Sequence, residues 1–293
     1  MKTRFRILLG ILLLTFGEVG AQDEDDRSNL TKYTPSLLLS KGQTEVKVFN
    51  NLYTQTSFYD SETKKQELDE RGTYFTAINQ VLYGISPRVN IGYMLFFRSV
   101  RLDDAKSNPL SIFRFEKDLS SRTAVSFAGP TVRVSPFANN KHFSFQSTFL
   151  FPLVSDQEGA KSGGPFLDFD KHYWWTQFFY DKVLANNFVL FLEADLIVRI
   201  DKSEPFKQSF IYNPLKVFFG RFMGRNWGIY VMTEWTPFWG DKDLLAAYYV
   251  QAGSGVKVQV SKKLELEAAY TLFPSGKNTG AGQTYNLGLR FLW

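Results

Sequence analysis

The 293-residue sequence contains no cysteine and only two histidines, His142 and His172. Disulfides and cysteine-linked lipid are excluded, and an imidazole–thiolate metal site has too few ligands. After residue 16 no run of roughly eighteen apolar residues occurs, so a membrane-crossing helix is not available there. Charge of one sign is also scarce. The formal net charge is +5, and no basic patch has nucleic-acid spacing, so nucleic acid is not an expected partner.

Aromatic residues, by contrast, are abundant. They make up 17% of the chain, with 29 Phe, 14 Tyr and 6 Trp. The N-terminus carries Lys2, Arg4 and Arg6, then the apolar run Ile7–Phe16, then Val19-Gly20-Ala21. This order predicts a cleaved secretory signal over residues 1–21. Residues 22–42, beginning with the acidic Asp23–Asp26, read as a periplasmic N-terminal segment. Within it "YTPSLLLSKG" (Tyr33–Gly42) either plugs the following domain or leads into it.

From residue 43 to 293 the chain alternates apolar and polar residues in about twelve segments, each long enough to cross a bilayer as a tilted strand. They begin near Glu45, Tyr74, Val89, Thr123, His142, Lys171, Phe188, Ser209, Trp227, Tyr248, Leu264 and Tyr285. Short joins fall at Ser86–Arg88, Phe137–Asn140, Leu184–Asn187, Gly224–Asn226 and Ser261–Lys263. Between them lie longer connections at Ser61–Arg71, Asp103–Arg122, Ser155–Asp168, Asp201–Lys207, Gly240–Asp243 and Ser275–Gly282. Sorting of loop length by parity predicts an antiparallel transmembrane β-barrel, all-β, with short periplasmic turns and longer extracellular loops. Closure also removes the sheet edges that such strands would expose.

Parity then assigns faces. In "NWGIYVMTEWTPFW" Trp227, Ile229, Val231, Trp235 and Trp239 share one face, while Tyr230, Met232 and Glu234 share the other. Trp227, Trp235, Trp239, Tyr270, Tyr285, Phe291 and Trp293 are the expected lipid-interface aromatics. The expected lumenal acids are Glu45, Glu193, Asp195, Glu234, Glu265 and Glu267, and the bases are Lys47, Arg98, Arg133, Arg199, Lys216 and Lys257. Such a balanced set predicts no strong single-sign filter; it suits either a wet pore or a lumen closed by ion pairs. Asn79 falls on the lipid face, which suggests a bulge in its strand. The apolar loop segment "PLSIFRF" (Pro109–Phe115) either folds inward as a constriction or packs at the rim.

The last residues, Asn286-Leu287-Gly288-Leu289-Arg290-Phe291-Leu292-Trp293, follow a polar–x–glycine–x–x–hydrophobic–x–aromatic pattern. This resembles the C-terminal sorting signal of bacterial outer-membrane β-barrel proteins. The resemblance implies that Asn286, Gly288, Phe291 and Trp293 are read by the barrel-assembly machinery and that outer-membrane lipid surrounds the mature chain. It also implies an outer-membrane location and, as leading function, a porin-like passive channel for small polar solutes. A non-conducting accessory barrel bound to another envelope protein is the alternative, and a lipid-modifying enzyme the third.

For the enzyme, His142-Phe143-Ser144 looks like part of the His-x-Ser-Asn-Gly motif of outer-membrane phospholipase A. Phe145-Gln146 stands where Asn-Gly should follow. Asp168 and Asp170 beside His172 only faintly resemble half of an omptin-type site. We therefore expect no catalytic residue, no metal and no cofactor; His172 reads as a rim or girdle residue.

Overall fold

The computed structural model describes residues 36–115, 119–184, 187–201, 210–223, 226–240 and 244–293. The signal segment, Asp23–Asp26, Tyr33–Pro35, nearly all of Asp201–Lys207, and Asp241–Asp243 lie outside them. So do the tips of the Leu184–Asn187 and Gly224–Asn226 turns.

The strands are β1 (Thr44–Tyr59), β2 (Lys65–Ser86), β3 (Val89–Asp104), β4 (Ser121–Val134), β5 (Phe143–Pro152), β6 (His172–Val183) and β7 (Phe188–Ile200). They continue as β8 (Phe210–Tyr212), β9 (Leu215–Met223), β10 (Trp227–Trp239), β11 (Ala247–Ser261), β12 (Leu264–Lys277), β13 (Thr279–Gly280) and β14 (Gln283–Leu292). Asn213-Pro214 interrupts one stave, because proline cannot donate to the ladder, and divides it into β8 and β9. Both halves pair with β7 in a single register, Ile197↔Tyr212 and Ala194↔Leu215. With β13 and β14 likewise sharing a stave, the sheet is a closed barrel of 12 antiparallel strands. Closure runs through β1 and β14, which pair without a break from Glu45↔Leu292 to Thr54↔Gln283.

Alternation decides what each face meets. Val81, Ile91, Trp174, Phe219, Val231 and Leu287 stand exposed on the outer wall, the arrangement of a surface solvated by lipid. The end bearing the short turns and both barrel termini is taken as periplasmic.

Two expected loops are strand instead. β2 starts at Lys65, nine residues before Tyr74, and its first residues pair with the end of β1, as in Phe58↔Gln66. Ser275–Gly282 is likewise mostly ladder, with β13 pairing Phe58↔Gly280 and Tyr59↔Thr279. These extensions stand above the lipid band, where both faces are wet, so their composition resembles a loop. Asn79 lies opposite Val48 and Leu95 on the outer face with continuous register around it, so the irregularities of its strand lie elsewhere. One falls at Gly84/Ser86, and another between Glu67 and Gly72, where β2 carries extra residues opposite Gln55–Ser57 of β1.

Candidate functional site: the lumen

Three groups of residues shape the interior. The first is a cavity of about 500 Å³. Lys47, Arg133, Glu193, Lys216, Glu234, Lys257, Glu265 and Glu267 line it. Asn286, Gly288 and Arg290 on the closing strand line it too. Glu45, Arg98, Asp195 and Arg199 occupy the inward parity but not the cavity wall. Glu45 is buried beneath Lys47 and Arg290, and Asp195 beneath Lys216.

The charges pair along the wall rather than across it. Glu45 takes Lys47 at 2.9 Å and Arg290 at 2.6 Å, and Arg290 also faces Glu265 at 3.7 Å. Lys257 meets Glu267 at 3.2 Å, and Lys216 meets Glu193 at 2.7 Å and Asp195 at 3.2 Å. The register causes this. Lys47↔Arg290, Glu265↔Arg290, Lys257↔Glu267 and Glu193↔Lys216 are direct cross-strand neighbours, at the spacing where side chains touch. Pairing between neighbours leaves the centre free. Gln177 donates to Glu193 at 3.1 Å and accepts from Gln146 at 2.9 Å, and Tyr249 donates to Glu234 at 2.8 Å.

Heights along the barrel are sorted by sign. The extracellular-side cluster has one base, Lys216, against Glu193, Asp195 and Glu234. The periplasmic-side cluster has Lys47, Arg133, Lys257 and Arg290 against Glu45, Glu265 and Glu267.

Aromatic rings form the second group. Phe179, Phe191, Phe218 and Tyr230 line the cavity in a continuous arc, with centroids 6.2, 5.2 and 5.7 Å apart. A second arc lies nearer the extracellular end of the same wall. It runs Tyr74, Tyr53, Phe273, Tyr249, Phe238, Tyr212, with successive separations of 5.8, 5.1, 5.2, 6.1 and 5.1 Å. Tyr212 continues it into the buried cluster of Met94, Phe96, Phe127, Leu150, Tyr173 and Ile197. Together these form a collar at which the cavity ends. Of these rings parity assigned only Tyr230 to the inward face, and contact between rings on different strands depends on stagger, which one sequence does not carry.

The third group closes the two ends. At the periplasmic end, Leu39 packs on the lumenal Leu82 and Leu292. Gly42 N–H donates to Gly84 at 2.8 Å, and Gly84 N–H donates to Gln43 at 2.9 Å. The described part of the N-terminal segment thus occupies the periplasmic mouth. Gly84 permits the approach, since a Cβ there would lie 2.0 Å from the Ser40 carbonyl oxygen.

At the other end the β5–β6 loop, not Pro109–Phe115, turns inward. It buries Gln157, Leu167 and Asp168, and Asp168 pairs with the lumenal Arg98. Tyr173 donates to Asp168 at 2.7 Å, and the Arg199 guanidinium lies 3.9 Å from the Phe169 ring centroid. On the loop's outer side Arg122 donates to the Asp156 carbonyl at 2.6 Å.

Pro109–Phe115 lies against the outside of the barrel. Its 3-10 helix (Pro109–Arg114) sets Phe113 on Phe75 at 5.0 Å, and Phe115 on Phe97 at 6.0 Å. Phe75 and Phe97 belong to the lipid-facing parity, so the inward option is overturned. An apolar loop beside a bilayer gains more from the apolar solvent than from a wet lumen.

The expected interface aromatics all take the outer face. Trp227, Trp235, Tyr270, Tyr285 and Trp293 are exposed there, Trp239 donates to Asn213 at 2.8 Å, and Phe291 stands opposite Val46. His172 packs between Phe149 and Phe151, centroids 5.8 and 5.5 Å away, in the outer aromatic girdle. His142 is exposed, with Nδ1 3.7 Å from Asp181, whereas Ser144 is fully buried on the lumenal face.

No protein-family model matches the sequence, and no curated protein is similar to it in sequence. Among solved structures the chain is similar to an outer-membrane channel from Pseudomonas putida F1, with 13% identity and a TM-score of 0.65 over 93% of this chain and 100% of that one. It is also similar to the β domain of the Bordetella autotransporter BrkA, with 12% identity and a TM-score of 0.54 over 86% of this chain and 99% of that one. At such identity the likeness concerns the backbone. The chain has the fold of a bacterial outer-membrane β-barrel protein.

Proposed function

We propose that this chain is a porin-like passive channel for small polar solutes, seated in the outer membrane. One observation carries the reading: a cavity of about 500 Å³ persists inside a closed barrel whose charged side chains pair along the wall. A barrel used only as a scaffold has no need to keep that space open, and twelve strands can enclose a narrow lumen. The solute path would run from the mouth beside Asp168, past the ring collar, through the charged cavity and out beside Leu39. The β5–β6 loop, a lid over the extracellular mouth, and the N-terminal segment narrow it, so unitary conductance should be small. The same reading makes the barrel non-catalytic, with Ser144 and His142 as parts of its wall. The C-terminal strand, through Asn286, Gly288, Phe291 and Trp293, would serve the assembly machinery.

Planar-bilayer recording on refolded protein tests the proposal. Stepwise conductance is expected. A barrel that shifts in gel mobility on heating, and so is folded, yet passes no current in any voltage range would refute it and leave the accessory-barrel reading.

A further inference from the structure

We propose that the lumen contains an anion-binding subsite centred on Arg133, and that its ligand is a small organic monocarboxylate bearing a flat apolar ring. The proposal deepens the channel reading and rests on it for the ligand's passage, though not for its binding.

Arg133 lies on β4, is only 4% exposed and lines the cavity. Arg221, which also borders the cavity, is exposed, and the four remaining cavity bases set the contrast. Lys47, Lys216, Lys257 and Arg290 each have a carboxylate within 3.2 Å. Among the described residues Arg133 forms no ion pair, and its Nε has no hydrogen-bond partner. Its cross-strand neighbours, Asn90 and Gln146, are neutral. Glu45 and Glu193 act on it only from beyond contact distance, so its desolvation is offset in part, and an anion seated on the fork supplies the missing contact. A guanidinium presents a planar fork that fits a carboxylate in bidentate fashion. On the adjacent strand Ser144 faces the same way, fully buried, and its hydroxyl also lacks a partner.

What lies beside the fork defines the rest of the ligand. The Arg133 guanidinium stacks 4.9 Å from the Phe179 ring centroid, and Phe179 begins the arc through Phe191 and Phe218. A carboxylate held by Arg133 therefore places its carbon skeleton along apolar rings, where a flat ring gains stacking contact. A polyanion fits poorly, because the other bases already hold Glu45, Glu265 and Glu267. The cavity volume is in the range of small-molecule sites.

Sodium benzoate is the probe, with acetate, benzyl alcohol and inorganic phosphate as controls, added to refolded protein in detergent micelles. Binding is followed by calorimetry and by quenching of tryptophan fluorescence, Trp175 being on the cavity wall. Benzoate should bind saturably, acetate more weakly, and benzyl alcohol and phosphate not measurably. Arg133→Gln should weaken benzoate by about tenfold or more, the loss expected for a charge-assisted hydrogen-bond pair. Phe191→Leu should weaken benzoate while leaving acetate unchanged. Arg133→Lys keeps the charge without the fork and should lose affinity too; it carries the test if the Gln variant does not refold. Equal binding of benzoate and benzyl alcohol, tighter phosphate binding, or wild-type benzoate affinity without the Arg133 fork overturns the proposal. Binding without conductance would overturn only the channel.

Discussion

The Arg98 guanidinium on β3 meets the Asp168 carboxylate of the β5–β6 loop, and the same carboxylate accepts a 2.7 Å hydrogen bond from Tyr173. One acid thus ties a loop to two lumenal strands. Asp168→Ala leaves Arg98 and Tyr173 facing each other without a partner. We expect a stability loss of about 3 kcal/mol, the scale for breaking one side of a buried pair. Unitary conductance should rise at the same time as the lid loosens. Urea unfolding and bilayer recording on one preparation check both, and an unchanged conductance would separate the lid from the path.

The periplasmic segment gives a second prediction. Gly84→Val places a side chain where the Ser40 carbonyl now sits. The segment should leave the mouth while the barrel remains closed. Trypsin cleavage at the exposed Lys41 should accelerate by roughly tenfold, a local opening change of about 1.4 kcal/mol. Mass spectrometry of the fragment reads the site.

The outer flap should be silent in transport. Replacing Phe113 and Phe115 with alanine removes contacts to Phe75 and Phe97 on the outside wall. Stability should fall by about 1 to 2 kcal/mol, below the full core value because both rings are partly exposed. Conductance and selectivity should match wild type. A changed conductance would mean the flap reaches the lumen.

Lys216 is the one base among three acids on its side of the cavity. Lys216→Met leaves Glu193 and Asp195 without a cation, at a cost of about 3 to 5 kcal/mol. Reversal potentials in a salt gradient should move toward cation selectivity. An anion-ward shift would contradict the placement of these acids.

The lid also sets an acid limb. Asp156 accepts from the backbone N–H groups of Lys161 at 2.9 Å and Ser162 at 2.8 Å. Those bonds, Lys161 first, hold its carboxyl below the ordinary 3.8. Because the folded value is depressed, its contribution is complete above 3.8 and is lost as pH falls through the lowered value. The loop's own contribution to conductance should therefore be constant above about pH 4 and change only below it. Asp156→Asn should remove that acid-side change when current is recorded across the range.

Most strands were readable because water and lipid impose opposite demands on alternate residues. Trp227–Trp239 and Phe188–Ile200 obey both. The start of β2 was not readable, since Lys65 to Arg71 stand in water on both faces and carry no stripe. Two loops show a related limit. Apolar Pro109–Phe115 left an inward constriction and a rim position both open, and lipid is the better solvent for its rings, while the loop that enters the lumen does so through the polar Asp168, paired with Arg98. Charged residues could be assigned to the interior by parity. Their pairing could not, because it depends on register between strands as distant as Glu45 and Arg290. Arg290 accordingly escaped the candidate set, though it anchors the periplasmic cluster.

Sorting of lumenal charge by height has an electrical consequence. At the cavity, acids outnumber bases in the Lys216 cluster, and bases outnumber acids in the Arg290 cluster nearer the periplasm. Mobile ions crossing such fixed charge meet cation-rich and anion-rich zones in an order that depends on the sign of the voltage. The barrel should rectify, passing more current in one polarity than in the other, with no moving part.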